Sequence, residues 1–145
     1  MSDITITSQA PESTLPDLIE LHLPVRGYTA IARSVATSLA ARADLALDQL
    51  EEARGALTES CALVSTGAPA SGRLRCRFDI DRGRLDVRVS GDWPCHAEQW
   101  PPRDSLTWLV LTALADRAEA RVENELPVVT WTKLAPKKDE MEEPT

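Results

Sequence analysis

Apolar and polar residues trade places along this chain with two periods, and the switches between them predict its elements. Ile19, Leu21 and Leu23 alternate with Glu20 and His22 until Pro24, which predicts an opening strand near a sheet edge. Tyr28, Ile31, Ala32, Val35 and Leu39 then fall at helical spacing, with Arg33 and Arg42 off that face, so a first amphipathic helix is expected. A second begins after Asp44 as N-cap. Its apolar positions Leu47, Leu50, Ala53, Leu57, Cys61 and Val64 repeat with a period of about 3.6 residues to about Ser65, before the stretch Gly67 to Gly72 breaks it. Gly55 sits inside this helix at a cost of about 1 kcal/mol relative to alanine, which implies a close neighbour.

The clearest signal is a hairpin. Leu74, Cys76, Phe78 and Ile80 alternate with Arg73, Arg75, Arg77 and Asp79, and after Asp81-Arg82-Gly83 the alternation returns as Leu85, Val87 and Val89. One face is core. The other pairs arginines (Arg73, Arg75, Arg77, Arg88) with acids (Asp79, Asp86) and reads as a solvated sheet surface with cross-strand ion pairs. Residues 91–104 hold three prolines and two tryptophans and predict a long irregular loop, the kind that serves as a lid or binding segment. Asp104 is then expected to cap a third helix with Leu106, Leu109, Val110, Ala113 and Leu114 on its apolar face. Val128 to Thr132 form a last strand, with Arg121-Val122-Glu123 as its hairpin mate. The order defines an α+β fold, a two-layer sandwich of an antiparallel-rich sheet with helices on one face. A single domain spans 17–135, flanked by polar tails expected to be disordered over 1–16 and 136–145.

Composition narrows the class further. At 145 residues and 43% hydrophobic content the chain suits one ordinary core. Cys61, Cys76 and Cys95 are scattered, with no CxxC pair, which favours neither a disulfide framework nor a zinc site and suits a reducing cytoplasm. No apolar run has membrane-spanning length and the first residues lack the pattern of a secretion signal, so no membrane association is expected. The net charge of -7 repels phosphates, so direct nucleic-acid binding is not expected either.

Two segments carry candidate chemistry: Glu52-Ala53-Arg54-Gly55-Ala56-Leu57-Thr58-Glu59 on the second helix, and Ser105-Leu106-Thr107-Trp108-Leu109-Val110-Leu111-Thr112-Ala113-Leu114-Ala115-Asp116 on the third. Together they resemble parts of the GHKL (Bergerat) ATPase fold, and most closely its anti-sigma branch, the RsbW and SpoIIAB serine kinases, in the actinobacterial form with altered nucleotide boxes. The resemblance implies that Glu59 is the base that orients a nucleophile. Four residues on and on the same helix face, the family offers an asparagine to Mg²⁺; Leu63 stands there and has no lone pair to give. The adenine-recognising aspartate falls on Gly91, with Asp92 one place out of register, and such a shift at a strand end turns the side chain to the other face. Ser105 and Thr107 stand where glycines let backbone N–H groups approach phosphates at a helix start. These losses imply weak or absent Mg-ATP binding, no cofactor and no phosphotransfer. The function implied is an anti-sigma factor that sequesters a stress-type or sporulation-type sigma factor, is relieved by a STAS-type anti-anti-sigma protein, and forms a homodimer. Arg33 takes the sigma-facing place on the first helix, where its planar fork suits bidentate contact with carboxylates. The retained Glu59 implies the alternative, an ATP-dependent serine protein kinase acting on the antagonist.

Other candidates read more plainly. Cys95-His96 beside Asp92 and Glu98 lack a second ligand pair at usable spacing, so no metal is expected. Trp93, Trp100 and Trp108 suit two roles equally: packing over the vacated nucleotide position, or lining an interface.

Overall fold

The computed structural model describes residues 5–8, 18–27 and 29–136. Its elements are β1 (Thr5–Ser8), β2 (Leu18–Pro24), α1 (Thr29–Arg42), α2 (Leu47–Val64), β3 (Arg73–Asp81), β4 (Arg84–Gly91), α3 (Leu106–Leu114), β5 (Arg117–Glu123) and β6 (Leu126–Leu134). The strands form one sheet in the order β1-β2-β3-β4-β6-β5, and every neighbouring pair is antiparallel. The chain is therefore α+β, with three helices against an antiparallel sheet. Thr5–Ser8 lies within the stretch expected as an N-terminal tail, yet it pairs with β2 and takes the sheet edge, so the opening strand of the sequence reading is the second strand of the sheet. The rest of the expected N-terminal tail, residues 137–145 of the expected C-terminal tail, and Tyr28 of the expected first helix face lie outside the described residues.

Side chains on a strand alternate faces, so the register decides what is buried. Leu21, Cys76, Val89 and Val129 line up across four strands, as do Phe78, Val87 and Trp131, and all are buried on the face that meets the helices. α2 is central there. It packs on β4 and β6 and against both other helices, and Trp131 Nε1 donates to Ser60 Oγ at 3.1 Å. Lys133 shares this buried face, where its ammonium donates to the Leu114 carbonyl at 2.8 Å and to Glu52 at 3.1 Å, so both a helix end and the charge are satisfied. Gly55 has the close neighbour its position implied: a Cβ there would lie 2.8 Å from Leu114 Cδ1 on α3.

Helix starts and faces differ in detail from the pattern. Asp44 does not cap α2 but turns the chain at a φ of 63° after α1; Ala46 is the N-cap, its N–H donating to Gln49 Oε1 at 2.8 Å. Ser105, not Asp104, caps α3, its Oγ accepting from Trp108 N. The expected core positions Ile31, Leu47, Leu106 and Leu109 are exposed, the last two by 74% and 57%, while Leu111 is the fully buried residue of α3. On α1 the expected Ala32 and Leu39 are buried, joined by Ala36 and Ala40, and the three alanines let the helix approach its neighbours closely.

Candidate functional site

The residues that the resemblance singles out lie at the end of α2 (Leu63), at the end of β4 (Gly91, Asp92) and at the start of α3 (Ser105, Thr107). Leu63 is fully buried near the end of α2, and its carbonyl accepts from Trp100 Nε1 at 2.9 Å. That carbonyl also accepts from Thr66 N at 3.2 Å, so the indole adds a second donor at the helix end. Trp93 folds back over the end of the β3–β4 hairpin. A Cβ on Gly91 would lie 2.6 Å from that ring, and one on Gly72 2.7 Å, so both glycines are required by the indole's close approach. Trp93 and Trp100 are 5% and 4% exposed; Trp108 is half-buried with the Arg103 guanidinium 5.5 Å from its ring centroid. Two of the three tryptophans are thus buried in the core.

The remaining candidates are used locally. Asp92 Oδ1 accepts from Arg73 N at 2.9 Å and Asp92 N donates to the Arg73 carbonyl, which closes the strand ends. Ser105 is committed to the α3 cap. Thr107 is half-buried, and Glu59 is half-buried on α2. Arg33 is exposed on α1. Among the described residues no group of three or more His, Cys, Asp and Glu could hold a metal ion, and no helix is long and apolar enough to cross a membrane.

The face of the sheet opposite the helices is open and carries a groove of about 700 Å³. Its walls include Arg75, Arg77 and Asp79 on β3 and Glu123-Asn124 at the β5–β6 turn, with Val128, Thr130 and Thr132 of β6 between them. Of the ion pairs on this surface, Asp86 takes its arginine from its own strand, and Arg75 and Arg88 find acids on other strands. Arg75 binds Glu20 at 2.7 Å, Arg88 binds Glu123 at 2.9 Å and Arg84 binds Asp86 at 2.7 Å. Directly opposite across β3 and β4 stand Arg77 and Arg88, and Asp79 and Asp86. Alternation within each strand had placed these residues on one face; the register that sets like against like needs the paired strands.

Electrostatics follow from these partners. The Arg75 hydrogen bond holds the Glu20 carboxyl below its ordinary value against the opposing effect of burial, with help from His22. Burial pushes Asp86 up, but the Arg84 fork and the Thr132 hydroxyl together outweigh it and leave the carboxyl lowered. Sequence reasoning missed Glu20, Glu123 and Thr132 as members of this surface because they lie on strands distant in the chain.

No protein-family model matches the chain, and no curated protein matches it significantly.

Proposed function

We propose that this protein is a regulator that acts by holding another protein and not by turning over a nucleotide. Within that class we read it as an anti-sigma factor of the RsbW type on a GHKL-like sandwich, cytoplasmic and homodimeric, whose altered nucleotide position is sealed by aromatic side chains. The observation that carries the reading is the Trp100 indole docked on Leu63. Where the resemblance needs an amide oxygen for Mg²⁺, a buried leucine stands, and its helix-end carbonyl is bound to an indole N–H. Support also comes from α1, which buries its alanine face and leaves Arg33 outward, free to meet carboxylates on a sigma factor. Sequestration then works by mass action: α1 covers sigma surface that core polymerase needs, and a STAS-type antagonist releases it by competing.

Two measurements test this. Calorimetric titration with Mg-ATP should give no binding heat, and micromolar binding would instead support the serine kinase that uses Glu59. A co-expressed alternative sigma factor should be retained by the native protein and lost with Arg33→Glu; retention by the folded variant counts against α1 as the surface.

A further inference from the structure

The open sheet face carries an arrangement that a merely solvated surface does not need. Directly opposed residues on neighbouring strands have Cβ atoms about 5 Å apart, and like charges there are destabilising. β3 and β4 nevertheless set Arg77 against Arg88 and, two residues along, Asp79 against Asp86. Exchanging Arg88 with Asp86 would make both pairs attractive with no change in net charge; the actual order leaves both repulsive. Arg88 is tied to Glu123, and Asp86 to Arg84 and Thr132. Among the described residues the side chains of Arg77 and Asp79 make no ion pair, although both line the groove. One guanidinium and one carboxylate, about 7 Å apart along β3, thus make no direct ion pair within the described residues, Asp79 feeling the Arg84 guanidinium only at longer range.

The shape of the site limits what that something is. β3, β4 and β6 are each paired on both sides, so no extended peptide can add to them as a strand. What remains is a layer laid over the sheet, as α2 already lies on the opposite face. Residues four apart on a helix are separated by about 6 Å, close to the spacing of Arg77 and Asp79.

We propose that the open sheet face is a docking groove for a partner helix that presents a carboxylate and, one turn away, a lysine or arginine. The carboxylate sits on Arg77 and Arg88, a fork-to-fork contact that offsets their mutual repulsion, and the cation sits on Asp79 and Asp86. Partner binding supplies opposite charge to Arg77 and to Asp79, whose cross-strand neighbours already have partners, which gives the groove a preference for mixed charge over either single sign. The proposal is independent of sequestration through α1.

The test is NMR titration of the ¹⁵N-labelled full chain with three alanine-based helical peptides: one with Glu and Lys four residues apart, one with Glu at both places and one with Lys at both. The mixed peptide should give saturable shifts at residues 75–79, 86–90 and 128–132, with affinity about tenfold above either control. The double variant Arg77→Ala, Asp79→Ala should lose that affinity about tenfold while its unfolding midpoint is equal or higher. Shifts centred on α1 or α3, equal response to the controls, or no saturable shift would overturn the proposal. Because no sigma factor is present, failure here leaves the α1 reading untouched.

Discussion

Two indole N–H groups tie the helices of this protein to other parts of the chain, Trp100 to the Leu63 carbonyl and Trp131 to Ser60 Oγ, and both hydrogen bonds are buried. The Leu63 carbonyl also accepts from Thr66 N, so losing the Trp100 donor removes one of its two bonds, which costs about 0.5–1.5 kcal/mol. Trp100→Phe keeps most of the ring but deletes the donor, so chemical denaturation should show a loss in that range. Acid should act through Glu20. Its folded value lies below the ordinary 4.5, so the stability it contributes is fully present above that value and is lost as pH falls through the lower folded one. Urea midpoints measured between about pH 6 and pH 3 should therefore fall less steeply in Glu20→Gln than in the native protein. The register of the resemblance had set Asp92 and Ser105 at altered nucleotide-box positions. Their short polar side chains suit them to bind nearby backbone, and here they take the Arg73 and Trp108 N–H groups.

At the scale of elements, the glycines separate two kinds of close approach. Alanine at Gly55 meets the tip of Leu114, a flexible and half-buried side chain that can turn away, and it gains helix propensity of about 1 kcal/mol. Alanine at Gly91 meets three atoms of the buried Trp93 ring at 2.6 to 2.9 Å, and a rigid ring has no such escape. Thermal unfolding should thus find Gly55→Ala within about 1 kcal/mol of the native protein and Gly91→Ala destabilised by about 1–3 kcal/mol. The β3–β4 hairpin was legible in its sequence because strict alternation marks one face as apolar. α3 was legible only as a helix. Leu106, Leu109, Val110, Leu111 and Leu114 spread over about half its circumference, too broad an arc to fix the inward side, and Leu111, outside the expected face, was chosen by contact with the rest of the fold.

For the whole molecule, a ligand that binds only the native state raises its unfolding temperature with concentration. Millimolar Mg-ATP should leave the thermal midpoint unchanged if the aromatic seal around Leu63 and Gly91 is complete, and a concentration-dependent rise would oppose sequestration without nucleotide. The sequence by itself determined the α+β class, the main strands and helices, and the charged outer face of the hairpin, because each depends on a period read over a few neighbouring residues. Only the tertiary structure decided that Thr5–Ser8 joins the sheet edge, that Trp100 docks on the end of α2 and Trp93 against Gly72 and Gly91, and that Arg77 faces Arg88. Those outcomes rest on contacts between residues far apart in the chain, whose energies no local pattern records.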